Sequence, residues 1–381
     1  MNHETHSNFS PGIHGARGLF CMFVVLYHIW NSGLPHWPVP ILLDQAMTSL
    51  RYGVELFFAV SGFVIFNTMQ RSATPLGFLA NRATRIFPAM WLAILVFIPL
   101  ALIDGEQSVA AQIQPLWQFG PKLIGNLLAL GPIWPVPVFY GVTWTIGYEF
   151  VFYGLCFIYL SGQFYLGRDL RWPVVLLALA LILYHPRGLY FLSGILVAMG
   201  FFRSGPLQRL AVWPLFWLVL FLAAWQSVAA PVAPFFPPMP QWQLLSHWPA
   251  GIIAFCATTL AIAAITQGKG RFCNFLTTRF MLWLGTISFS LYLWHPIVLG
   301  IVKFALNKLG VMAIAGNGSQ LVFLIVAVPP SLLVGHFSQI LLEKHLTAWL
   351  RRQTLRFGRG RSGQGALNGT RHQNPEQSIN A

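Results

Sequence analysis

An all-α, polytopic transmembrane helical bundle is the fold that this sequence predicts, on three observations. Hydrophobic residues fill 56% of the 381 positions and charged residues only 8%, against about 25% charged in an ordinary soluble domain. Apolar runs of the ~17–25 residues needed to cross a bilayer recur along the whole chain. Lysine and arginine gather in alternate connecting segments, the pattern that orients membrane helices. The net charge of +14 comes from nine acidic residues facing 23 basic ones. It reflects scarce acids, so no nucleic-acid partner is expected.

About ten spans are expected, near 15–33, 50–69, 87–103, 142–161, 172–185, 188–202, 210–229, 248–266, 281–302 and 320–342. The first is expected to be retained, because MNHETHSNFSPGIHGAR has no short apolar stretch ending in a small-residue cleavage site. The fifth and sixth are short and are expected to tilt, distort or pack deep in the bundle. The stretch 121–135 is too short and too proline-bound to span, and reads as re-entrant or interfacial. The loops 104–141 and 229–247 are rich in proline and aromatics and suit the membrane interface. Cys21, Cys156, Cys256 and Cys273 show no paired spacing, so neither a disulfide framework nor a zinc site is expected.

With the N-terminus inside, inner segments hold 18 of the 23 Lys and Arg residues. Both termini are therefore expected to be cytoplasmic. Residues 1–345 form the expected integral-membrane domain. Residues 346–381 read as a disordered basic tail lying against anionic lipid.

Arg17 and His28 stand out within the first span. Eleven residues are close to three helical turns, so both side chains share a face about 16 Å apart along the axis. Ionisable groups in hydrocarbon are costly and usually functional. His28, Glu55, Glu149 and His295 each lie five to seven residues from the outer end of a span, which places all four at one expected depth. Arg82 and Arg85, three apart, open the third span at the level of Arg17. Three guanidiniums at one surface make a fork-shaped phosphate site. Structural roles compete with each reading. His28 and Glu149 are candidates for helix-pinning contacts, Glu55 for an i,i+4 pair with Arg51, and His295 for packing beside a Pro296 kink. Arg82 and Arg85 also suit plain positive-inside anchors. No metal is expected, since His28, His295 and Glu149 share no ligand spacing on one helix.

These phrases resemble the bacterial membrane acyltransferase type 3 family. The similarity rests on RGLFCMFVVLYH (Arg17 to His28), FFAVSGFVI, RATRIFPAMW, WTIGYEFVFY and SLYLWH, found in the family's order. His14 stands where the family often has Asp, and Glu55 where Asp is commoner. The resemblance implies transfer of an acyl group, usually acetyl, from cytoplasmic acetyl-coenzyme A to a hydroxyl of a glycan or lipid-linked sugar. It implies a multi-pass protein of the bacterial inner membrane, active in exopolysaccharide or lipopolysaccharide decoration. Arg17, Arg82 and Arg85 would then hold the coenzyme A phosphates. His28 would act as general base or as a covalent acyl carrier, with Glu149 orienting it. Glu55, Trp144, Tyr153 and His295, with Tyr148, would line the acceptor side. A proton-coupled transporter or flippase, with His28, Glu55, Glu149 and His295 as its relay, is the alternative; it lacks the paired broken helices such transporters use.

Overall fold

Helices form where the apolar runs reach helical length, and local chemistry sets their ends. The computed structural model describes residues 10–103, 116–131, 137–229, 246–350 and 352, and no strand occurs among them. Most of the loop around residue 110, the proline-rich segment 230–245 and nearly all of the expected tail lie outside the described residues.

The principal helices are α1 (Pro11–Trp30), α2 (Ile41–Ser49), α3 (Gly53–Gln70), α4 (Pro75–Ile103), α5 (Leu116–Leu127) and α6 (Trp144–Tyr165). They continue with α7 (Arg171–Tyr184), α8 (Leu189–Ala198), α9 (Pro214–Ala229), α10 (Trp248–Gln267), α11 (Arg279–Lys308) and α12 (Ser319–Ser338). Ser10 caps α1 by accepting from the Ile13 N–H, with Pro11 at the first helical position. Thr278 caps α11 in the same way. Gly268 closes α10 in the left-handed conformation, φ 68°.

Among the described residues, seven helical stretches are long and apolar enough to cross a membrane. Three shorter apolar helices, Arg171–Tyr184, Pro186–Ala198 and Pro214–Val228, lie at the fifth, sixth and seventh expected spans. Of these, α7 has no buried residue and leaves Trp172, Leu176 and Leu183 exposed. By contrast, α8 packs tightly: a Cβ on Gly62 of α3 would meet the Phe191 carbonyl oxygen at 2.1 Å. Such small residues let helix backbones meet where lipid supplies no hydrophobic drive. Of the stretch 121–135, residues 121–127 belong to α5, which spans only 12 residues, and 132–135 lie outside the described residues. The last helix outruns its apolar run. After Ser338 the chain winds as a π-helix over Gln339–Leu346 and stays helical through residue 350, past the expected boundary at 345.

One seam governs the site. Helices α1 and α11 lie side by side and parallel, since Cys21 Sγ donates to the Ser288 carbonyl at 3.3 Å and His28 meets His295 seven residues further along each helix. Gly285 permits this closeness, because a Cβ there would stand 2.1 Å from the His14 carbonyl oxygen. His14 itself bonds Thr286 across the seam at 3.1 Å, so the residue standing where Asp is usual ties the two helices together. At the His28 end, Lys303 donates to the Ser32 carbonyl and Gln320 to the Trp30 carbonyl. At the Arg17 end, Thr347 donates to the Thr84 carbonyl at 3.2 Å.

Candidate active site

A cavity opens between α1, α3, α4, α6 and α11, holding about 790 Å³ of empty space including its mouth. Arg17 from α1 and Arg82 and Arg85 from α4 all line it. The convergence expected of the three guanidiniums is therefore present. Glu149 and Tyr153 line it from α6, and Ser61 from α3.

Short contacts fix this wall. Ser61 donates to one oxygen of Glu149 at 2.6 Å, and the Tyr153 hydroxyl donates to the other at 2.8 Å. Glu149 and Tyr153 stand four apart and share a helix face. The Tyr153 ring lies 6.0 Å from the Arg82 guanidinium, a cation–π arrangement. Arg17 sits within Coulombic reach of Arg85 and Glu149. Among the described residues, neither Arg17 nor Arg82 has a carboxylate within 4 Å; Arg85 has one, Glu343, at 3.6 Å. Guanidiniums that face open space without a bonded counter-ion suit an anionic guest, and their planar forks suit phosphate.

Toward the His28 end the cavity is lined by Tyr292 of α11, whose hydroxyl meets Thr145 at 3.0 Å. One turn beyond, the His28 and His295 rings lie 5.1 Å apart, tilted 46°. His295 is fully buried. Its Nδ1 is 2.8 Å from the Tyr292 carbonyl. A carbonyl only accepts, so Nδ1 carries the proton and Nε2 keeps its lone pair. Pro296 explains why that carbonyl is free. It lacks the N–H that would bond back four residues, to Tyr292. The Nε2 atom of His295 is buried and has no hydrogen-bond partner among the described residues.

Two expectations need correction. Glu149 does not share the depth of His28. Thr145 and Tyr292 mark one level. From there Glu149 lies four residues toward the Arg17 end and His295 three residues the other way, about 10 Å apart in all. The cause is the start of α6, which lies inside the bundle. Just before it, Tyr140 is buried and its hydroxyl donates to the carbonyl of Leu293. Counting from the end of the apolar run therefore misplaced Glu149, and its bonds go to Ser61 and Tyr153 instead of an imidazole.

Glu55 is likewise not on the cavity wall, and its partner is not Arg51. It is fully buried and ion-paired to Arg187, in the short turn Pro186–Gly188 that leads into α8. The Arg187 guanidinium lies 5.5 Å from the Trp144 ring centre. Trp144 and Glu55 thus belong to a packing cluster, while Tyr148 bonds His185 at 3.2 Å. Arg51 turns to the Tyr52 hydroxyl at 2.6 Å. Of the residues expected on the acceptor side, Tyr153 lines the cavity and His295 joins His28. Arg187 was hidden because it occupies a short turn between two short apolar helices, where a cation reads as an ordinary loop charge.

Comparison with known proteins agrees with these features. A family profile described as an acyltransferase domain matches residues 10–336. The "Exopolysaccharide production protein ExoZ" of Rhizobium meliloti (strain 1021) is 27% identical over 326 residues, covering 81% of this chain and 90% of that protein. "Nodulation protein 10" of Rhizobium leguminosarum bv. viciae is 29% identical over 151 residues, covering 34% of this chain and 38% of its own length. No solved structure matches. With the profile spanning nearly all the described helices, the chain belongs to the acyltransferase 3 family and is an O-acyltransferase.

Proposed function

We propose that the protein moves an acyl group, acetyl in the first instance, from coenzyme A to a hydroxyl of a cell-surface or lipid-linked polysaccharide. The observation that carries this reading is the cavity in which Arg17, Arg82 and Arg85 converge at one end of a seam whose other end holds His28 and His295. Coenzyme A is a phosphate-bearing head on a long thioester arm. In this reading the guanidiniums hold the phosphates, and the arm runs past Tyr292 toward His28. The printed name of the Rhizobium meliloti relative supports an exopolysaccharide acceptor.

His28 takes the proton of the acceptor hydroxyl as its oxygen attacks the thioester carbonyl. Collapse of the tetrahedral intermediate breaks the C–S bond, and the departing thiolate receives that proton from His28. His295 positions His28, since its Nε2 lone pair accepts the N–H of the neighbouring imidazole during turnover. That leaves the other ring nitrogen of His28 free as base. Glu149 holds the guanidinium wall through Ser61 and Tyr153.

Among the described residues, seven long and three shorter apolar helices support a ten-span topology, and the membrane this reading assigns is the bacterial inner one. The excess of Lys and Arg at the Arg17 end supports a cytoplasmic donor side and cytoplasmic termini. The basic tail then faces anionic lipid.

Arg82→Ala is expected to raise the KM for acetyl-coenzyme A by roughly tenfold or more with little change in kcat, the mark of lost ground-state binding. An unchanged KM in purified enzyme removes the phosphate assignment. Pro296→Ala returns an N–H to compete for the Tyr292 carbonyl. Activity should fall by roughly tenfold, the scale of one hydrogen bond. Nitrogen NMR of the imidazoles should show His295 losing its fixed tautomer; a retained Nδ1–H tautomer would oppose this account of Pro296.

A further inference from the structure

The π-helical segment Gln339–Leu346 lies beyond the residues the family profile matches. It delivers Glu343 to the back of the guanidinium wall. Pi-helical turns are rare and concentrate at functional sites, because the extra residue re-aims the side chains that follow. The Glu343 side chain is only 6% exposed. Ser290 of α11 donates to one of its oxygens at 2.7 Å, and Ser338 donates to Ser290 at 3.1 Å. The other oxygen lies 3.6 Å from the Arg85 guanidinium. That distance is well beyond the ~2.7–2.9 Å of a tight charge-assisted hydrogen bond. The carboxylate is thus anchored on α11 and only loosely paired with the arginine. Arg85 lines the cavity and Glu343 does not, so the carboxylate stands behind the guanidinium as seen by an entering guest. Burying a carboxylate is costly, and a loose pair recovers little of that cost.

We infer that Glu343 is an exchangeable counter-ion that sets donor affinity: Arg85 turns from its carboxylate to the donor's phosphate on binding and returns to it when coenzyme A leaves. This rests on the reading of the cavity as the donor site. A fixed negative charge behind an anion site opposes anion binding. Its presence weakens the hold on the donor, and equally on the product, whose phosphates are the same. The gain is product release, a step that often limits turnover.

Glu343→Gln tests this, because the amide oxygen still accepts from Ser290 while the charge is gone. In full-length protein purified in detergent, the Kd for free coenzyme A and the KM for acetyl-coenzyme A should both fall, by roughly three- to tenfold. Glu343→Asp withdraws the carboxylate by one methylene and should move both constants the same way by a smaller factor. It answers the question if the Gln variant fails to insert. In an Arg85→Gln background the effect of Glu343→Gln should shrink to the part due to direct repulsion and to the carboxylate's pull on Arg17; an effect as large as in the parent overturns the exchange with Arg85. Unchanged or weaker coenzyme A binding in Glu343→Gln overturns the inference. Arg82→Ala separates the two failures. If it weakens coenzyme A binding while Glu343→Gln changes nothing, the donor site stands and the counter-ion role falls. If Arg82→Ala binds coenzyme A as the parent does, the donor site itself falls, and the counter-ion role with it.

Discussion

Replacing His28 by Ala is expected to abolish acyl transfer while leaving the protein inserted and folded. A general base contributes about 10²–10⁴-fold, so ester content of the surface polysaccharide should drop at least ~100-fold in cells carrying only the variant. The substitution is tolerable for folding because His28 is half-buried and its contacts are ring contacts with Tyr27 and His295. Mass spectrometry of the polysaccharide, with membrane levels of the protein measured alongside, gives the answer. Normal ester content in the variant would remove His28 from the mechanism. Binding of coenzyme A should be almost unchanged, because the guanidiniums lie toward the other end of the seam.

The largest effect on stability is expected from Arg187→Met. It leaves the Glu55 carboxylate buried among α3 and its neighbours without its ion-pair partner. Breaking one side of a buried ion pair typically costs about 3–5 kcal/mol. The thermal midpoint in detergent should fall sharply, and coenzyme A should not rescue it fully because the pair is off the cavity wall. Adding Glu55→Gln to Arg187→Met removes the orphaned charge and should restore most of the loss, since a neutral pair of similar shape often matches the ionic one. An Arg187→Met protein as stable as the parent would show that the pair contributes nothing to holding α3 against the start of α8.

What could be read from the sequence divides along physical lines. Arg17, Arg82 and Arg85 were legible as one group because each follows a short inner segment, and residues near span ends have well-defined depth. His28 and His295 were legible as groups at one depth for the same reason, both lying in long, continuous helices; that their rings meet came from the packing of α1 on α11. Glu149 was misplaced because hydropathy marks where apolar residues begin, while Tyr140 and Leu293 fix where α6 begins in space. Glu55 and Arg187 were not legible as a pair because 132 positions separate them and only the packing of α8 on α3 joins them. Glu343 was hidden by the π-helical turn, which carries the last helix beyond its apolar run and rotates its side chains out of the 3.6-residue pattern. The glycines of the seams drew no notice either, since their role is a backbone contact that no composition reveals.

The matched spacing along α1 and α11 constrains how this gene can change. Cys21 meets Ser288 and His28 meets His295, so seven residues on one helix are matched by seven on the other. A single inserted or deleted codon between Cys21 and His28 would swing the imidazole by about 100° and shift it by about 1.5 Å. The altered stretch would be as apolar as before and would enter the membrane normally, yet the two rings would no longer face one another. Between those positions the chain is free to trade one aliphatic residue for another of similar bulk, but not free to change its length.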